Sequence, residues 1–254
     1  MFGWWQRRRR TRVRARPFPP EWRAMIERNV PLFGRLCASD QRELLQHTLV
    51  FLDEKRFEGA GGLTITDEIR VTIAAQACVL QLHRPDDYFP DLVTVIVYPA
   101  TFVTPHKSIE NGLVTEGHAV TLGQSWTRGN VVLAWDAALG GGRDLQDGHN
   151  VVLHEFAHQL DQEDGHADGA PPLPTRGMYG PWARVLSAEF ERLQRGAASV
   201  LDQYGGTNPA EFFAVATEAF FEKPLQLKNK HPQLYAQLAQ YFRQDPAAWG
   251  LAGS

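Results

Sequence analysis

Two histidines and a glutamate stand within five residues, His154-Glu155-Phe156-Ala157-His158, in the spacing HExxH. On a helix, four residues turn the chain by ~400°, so the two imidazoles lie about 40° apart on one face, one turn from each other. That is bite geometry for a single ion. Glu155 lies ~100° round from His154, too short to serve as a third ligand but placed to reach a water beside the ion. Zinc lowers the pKa of such a water to near 7, and a carboxylate there can take its proton as it attacks a peptide carbonyl. With nine histidines in 254 residues, the pattern is expected by chance only roughly 0.02 times. Val151, Val152, Leu153, Phe156, Ala157 and Leu160 make the other faces of this segment apolar. A buried helix that turns two histidines and a glutamate inward needs something to satisfy them, because unpaired buried polar groups cost several kcal/mol.

Catalytic zinc takes three protein ligands and keeps one position for water. The continuation with a glycine at 161 and a histidine at 164 is absent, since the chain has Asp161 and Asp164 there, which excludes the metzincin pattern. Asp164 is conceivable as the third ligand, but a later carboxylate suits better. The best segment runs from Tyr204 to Val215: Asn208 reads as an N-cap and Pro209 as the first helical residue, which puts Glu211 at the third position. Taken alone, Glu211 could be a plain capping-box glutamate. Phe212, Phe213, Val215, Ala216, Ala219 and Phe220 make its helix strongly apolar, and the HExxH helix needs a partner.

The run HEFAHQLD at 154–161, followed by Y-x-x-x-N-P-x-E-F-F-A-V-x-x-E-x-F-F at 204–221, resembles the Mlc titration factor A family of bacterial zinc peptidases. The catalytic domain of anthrax lethal factor is similar in its HEFxH and later Tyr and Glu-Phe-Phe-Ala elements. The resemblance spans about residues 31–242 and is strongest over 130–224. It implies a gluzincin-like site in which His154, His158 and Glu211 hold one zinc ion per chain and Glu155 is the base. It also implies that Tyr204 donates to the developing oxyanion, that the activity is of aminopeptidase type, and that the Mlc repressor of sugar uptake is a partner. The chain departs from thermolysin-type gluzincins four residues beyond Glu211, where Val215 replaces an orienting aspartate. Asp161 and Glu218 are the candidates to orient a ligand histidine instead.

The elements that must position these groups are readable from caps and periodicity. Helices are expected over 21–29, 40–56 (with Asp40 and Glu43 at capping-box spacing), 66–82 (Thr66 as N-cap), 148–161, 181–195, 209–222 and 232–243. Short β-branched runs at 93–98, 118–126 and 130–135 read as strands, and Gly140–Gly142 as a loop. Val131–Trp135, close before the motif helix, is a candidate edge strand for binding extended substrate. His149 and His166 read as loop histidines, while His106, His118 and His231 show no partners. The expected architecture is an α+β, zincin-like domain over 17–254, with a helical N-terminal layer over about 17–85 and a catalytic part over about 86–254.

Residues 1–16 stand apart. Arg7, Arg8, Arg9, Arg10, Arg12, Arg14 and Arg16 carry +7 with no acid among them, which leaves 19 basic against 29 acidic residues elsewhere. The segment reads as a solvated, disordered arm, with weak contact to an anionic membrane surface as the sharper alternative. The acidic remainder argues against direct nucleic-acid binding. No apolar run approaches the ~18–20 residues needed to span a bilayer. Two cysteines without CxxC spacing, Cys37 and Cys78, suit a reducing compartment, so a cytoplasmic location is expected. Zinc-dependent hydrolysis of a peptide or protein substrate is the leading expectation. The alternative is a transcription-factor-titrating interaction protein whose metal site is not its main activity. A purely structural zinc site is disfavoured because such sites are closed by four protein ligands, often cysteines.

Overall fold

The computed structural model describes residues 2–249, apart from 85–86, 101, 111–112, 122 and 127–128; over 102–126 the description is of backbone alone. The chain begins with α1 (Phe2–Arg14), α2 (Pro20–Asn29) and α3 (Ala38–Glu54). Strand β1 (Arg56–Gly59) and helix α4 (Asp67–Val79) follow, with the Thr66 hydroxyl accepting from the Ile69 N–H as the N-cap reading requires. Next come β2 (Thr94–Tyr98), β3 (Phe102–Glu110), β4 (Leu113–Thr121), β5 (Gly123–Trp126) and β6 (Asn130–Ala134). Helices α5 (Trp135–Arg143), α6 (Val151–Asp161), α7 (Arg176–Gln194), α8 (Pro209–Glu222), α9 (Pro224–Lys230) and α10 (Pro232–Phe242) complete the chain. This is an α+β fold with a helical N-terminal layer.

One sheet has the order β1-β2-β6-β5, in which β1, β2 and β6 are parallel and β5 runs antiparallel to β6. Strands β3 and β4 form a separate antiparallel pair. A single buried apolar cluster extends from Ile26 to Ala247, so the early helices and the late ones share one core. Helix α6 is seated in it by Phe156, fully buried, which packs against Phe51 of α3 and Phe89 at ring separations of 5.6 and 4.8 Å. Helix α8 lies against α6 and is buried nearly all round, with Phe213 on Trp182 and Tyr241, and Phe220 on Tyr235 and Phe242.

Four expectations are corrected. The arginine segment is the helix α1 and not a disordered arm. Val13 is 1% exposed against Val50 and Tyr88, the Arg10 guanidinium grips Glu54 with two bonds of 2.7 and 2.8 Å, and Arg9 reaches Asp53 at 2.8 Å. Acids at the end of α3, some forty residues away, neutralise the inner arginines and let the helix form. Gly140–Gly142 lie within α5 and not in a loop. A Cβ at Gly141 would come within 2.7 Å of the His149 carbonyl oxygen, and one at Gly142 within 2.8 Å of the Gln76 side chain, so these glycines allow a close helix approach. Helix α3 starts from Cys37, and Asp40 and Glu43 are inside it; Glu43 instead accepts from the His83 N–H and faces His47. Finally, β6 is bonded on both sides, to β2 and to β5, and Trp135 opens α5, so Val131–Trp135 is not an edge strand. Among the described residues the edge beside β6 belongs to β5. The side chains of His106 and His118 lie outside the described residues.

Candidate metal centre

The motif helix starts where Asn150 caps it, its side-chain oxygen accepting from the N–H groups of Val152 and Leu153 at 3.1 and 3.0 Å. That cap sets the phase of α6, which turns Val152, Leu153, Phe156 and Leu160 into the core and His154 and His158 towards α8. Helix α8 starts in the same way, Asn208 accepting from Glu211 N–H at 2.9 Å with Pro209 as first residue. The Glu211 carboxylate does not fold back as a capping-box group. It crosses to the histidines, with Oε2 at 3.0 Å from His154 Nε2 and 3.4 Å from His158 Nε2. The two Nε2 atoms are 3.2 Å apart.

These separations test whether an ion fits. Three donors on a tetrahedral ion at ~2.0–2.1 Å stand ~3.3–3.4 Å apart by geometry alone, close to the observed 3.0, 3.2 and 3.4 Å. The protonation chemistry agrees. His154 Nδ1 lies 2.7 Å from Glu218 Oε1, and a donation there leaves Nε2 with a lone pair in the neutral ring. That lone pair then faces a second imidazole nitrogen and a carboxylate oxygen, an arrangement that a cation stabilises and nothing neutral does. Without a metal the proton is the available cation. Burial opposes charge on His154, but Glu211 and Glu218 outweigh it and lift the imidazole to about 10. Burial alone would raise Glu211, yet the hydrogen bonds from His154 and His158 hold it well below the usual carboxylate range.

Glu155 is 4% exposed, and its Oε2 is enclosed with no hydrogen-bond partner. Burial lifts its carboxyl to about 7, against the pull of His154 and His158. A carboxylate poised near neutrality can both take and return a proton. Tyr204 sits on a 3₁₀ turn, Gln203–Gly206, held by Asp202, whose carboxylate accepts from Tyr204 N–H at 2.7 Å. Its ring centroid is 6.1 Å from that of His154, its side chain is half exposed, and burial together with Glu211 raises the phenol to about 12, so it stays a donor. A cleft of about 600 Å³ opens here, lined by His154, Glu155, Tyr204 and Glu218 with Asp147 and Asp202 at its rim.

The remaining sequence candidates separate cleanly. Glu218 of α8 is buried and bridges the centre to the cap of α6, with Oε1 on His154 and Oε2 accepting from Asn150 N–H at 2.5 Å. Asp161 does not orient a ligand; it is fully buried and accepts from Gly169 N–H at 2.9 Å, which fastens the loop after α6. Asp164 is exposed and accepts from His166 N–H in a tight turn, away from the three converging groups. His149 stands 3.6 Å from Asp202 at the cleft rim. His231 proves to be a buried structural residue between Glu189 and Ser199, at 2.8 and 3.1 Å, partners more than thirty residues away that no local pattern announces. Asp40, Glu43 and His83 also cluster, but His83 offers a different ring nitrogen to each carboxylate at 3.4 Å, which makes an ion-paired clamp and not a shared coordination point.

Donor atoms of His154, His158 and Glu211 thus converge beside the buried Glu155 carboxylate, a group that could hold a metal ion, on an α+β frame. Residues 3–243 match the family described as glucose-regulated metallo-peptidase M90, and the chain belongs to that family. It is 40% identical over 237 residues to an uncharacterised protein of Synechocystis sp., covering 91% of this chain and 86% of that one. It is 34% identical over 233 residues to Mlc titration factor A of Klebsiella pneumoniae, covering 86% and 84%, and 32% identical over 235 residues to Mlc titration factor A of Yersinia pestis, covering 87% and 83%.

Proposed function

We propose that this protein is a zinc-dependent peptidase with His154, His158 and Glu211 as the metal ligands, Glu155 as general base and Tyr204 as oxyanion donor. The observation that carries the reading is the convergence of three donor atoms within 3.0–3.4 Å of one another beside a buried carboxylate lifted to about 7. Zinc bound there supplies Lewis acidity, polarising the scissile carbonyl and lowering the pKa of water to near 7. Glu155 takes the proton from the attacking water and hands it to the leaving amine. The Tyr204 phenol, a donor at all working pH values, shares the negative charge that develops on the carbonyl oxygen. Glu218 keeps His154 in the tautomer that presents Nε2.

Aminopeptidase action is supported by the carboxylates of Asp147 and Asp202 at the cleft rim, which suit the ammonium group of a free amino terminus. A cytoplasmic setting accords with two unpaired cysteines, Cys37 and Cys78. Among the described residues no helix is long and apolar enough to cross a membrane. A second reading, that the chain binds the Mlc repressor whether or not it cleaves peptides, is favoured by the name of the relatives in Klebsiella and Yersinia. Glu155→Gln tests the first reading. It should retain zinc while hydrolysis of peptide substrates falls by more than a hundredfold; activity within tenfold of the unmodified protein would reject the base assignment. Binding of Mlc by the same variant, followed by calorimetry, separates the interaction from the chemistry.

A further inference from the structure

The outer face of α1 has no part in the metal centre. Projected down the helix at 100° per residue, Trp4, Arg8, Arg12, Trp5 and Arg9 fall within an arc of about 140°, with Arg16 just past the helix end, while Val13, Arg10 and Arg14 face the body. Trp4 and Trp5 are 53% and 63% exposed and lie edge to face at 5.2 Å, among the largest apolar groups left in water on this molecule. The Arg8 guanidinium sits 4.1 Å from the Trp4 ring centroid. Among the described residues Arg8 and Arg12 form no ion pair, and Arg9 and Arg16 share the single carboxylate of Asp53. A groove of about 900 Å³ beside the helix gathers six cations, Arg56 and Lys55 included, against two acids. Lys55 is committed to the carbonyls of Phe89 and Leu92, and Glu54 to Arg10, so the excess of positive charge lies on the outer arginines.

We propose that this face docks on an anionic phospholipid bilayer, the indoles of Trp4 and Trp5 entering the headgroup layer and the arginines taking lipid phosphates. Indole beside guanidinium on one face of a helix lying along the protein surface is what an interfacial helix requires. Charge complementarity selects the same partner over nucleic acid. Helix α1 is only about 20 Å long, and a polyanionic strand running past its ends would meet a body with ten more acids than bases. A bilayer meets the projecting face alone. An attachment through this one surface face is peripheral and reversible.

The test uses the full chain with unilamellar vesicles of pure phosphatidylcholine and of an equal mixture of phosphatidylcholine and phosphatidylglycerol. Co-sedimentation should occur with the mixed vesicles at low salt, be absent with phosphatidylcholine, and fall steeply towards 0.5 M salt, on the order expected for screened surface charge. The pair Arg8→Gln and Arg12→Gln should weaken partition roughly 30-fold, about fivefold for each arginine. The pair Trp4→Ala and Trp5→Ala should abolish quenching of protein fluorescence by brominated lipid. Unchanged melting temperatures would show that both variants fold, as the exposure of these side chains leads one to expect. Three results would overturn the proposal: no sedimentation with phosphatidylglycerol vesicles, partition insensitive to both pairs of substitutions, or tighter binding to a DNA duplex or single strand than to those vesicles at the same salt.

Discussion

Glu218→Gln changes one oxygen to an NH₂ group and nothing else in size, and the structure says why that is enough. The carboxylate accepts at both oxygens, from His154 Nδ1–H at 2.7 Å and from Asn150 N–H at 2.5 Å, and the side chain is 6% exposed. An amide can accept at one position only. If its oxygen serves His154, its NH₂ faces the Asn150 N–H donor to donor, and a buried N–H at the start of α6 loses its partner, at a cost of about 1–3 kcal/mol. If it turns round, the NH₂ meets Nδ1, the ring proton moves to Nε2, and the nitrogen aimed at the metal loses its lone pair. Either outcome weakens the site, and a second-sphere loss of this kind lowers metal affinity by about 10–100-fold, equivalent to roughly 1.4–2.8 kcal/mol. Competition for zinc against a chromogenic chelator measures the affinity directly, independent of turnover. Apo-protein melting separates the two outcomes, since only the first destabilises the helix cap. Zinc affinity within twofold of the unmodified protein, with unchanged melting, would refute the assignment of Glu218.

Three further outcomes are expected. Glu211→Ala should release zinc under dialysis that leaves the unmodified protein loaded, whereas Asp164→Ala should retain it, because Asp164 is engaged with His166 N–H in a surface turn; atomic absorption after dialysis decides. Tyr204→Phe should keep its metal and lose turnover by on the order of 10²-fold, the usual effect of removing one oxyanion donor, and full activity in a peptide assay would exclude that role. Glu222 is 3% exposed, and burial lifts its carboxyl from an ordinary 4.5 to about 9, with a side-chain hydrogen bond to Asn150 opposing the rise and Glu218, Asp147 and Asp144 adding to it. A raised folded-state pKa means that its contribution is complete below about 4.5 and is lost as pH rises through about 9. Glu222→Gln should therefore raise the melting temperature at pH 8–9 much more than at pH 5, by a stability difference of a few kcal/mol; calorimetry showing equal shifts at both pH values would contradict the buried neutral state.

The comparison of sequence with structure divides by range. What four consecutive residues or one helical turn decides was legible: the two histidines on one face of α6, the caps at Thr66 and Asn208, the start of α8 at Pro209 and the apolar stripe that buries Phe156. The backbone geometry of a helix determines these relations wherever the helix is placed. Relations set by packing were not legible in the same way. Sequence narrowed the orienting carboxylate to Asp161 or Glu218, but only the seating of α8 against α6 brings Glu218 within 2.7 Å of His154 and leaves Asp161 on Gly169. The glycines of α5 read as a loop because their reason for being there, the close approach of His149 and Gln76, lies in another part of the chain. The arginines of α1 read as a disordered arm because their acids sit at the far end of α3, and β6 read as an edge because pairing on both sides depends on strands that are distant or weakly patterned. Sequence by itself placed two histidines and a glutamate on one helix at the spacing of a metal-binding pair. Tertiary structure decided which carboxylates lie against those histidines, because a side chain's partners across fifty or more residues follow from how apolar faces pack and not from the local repeat of the chain.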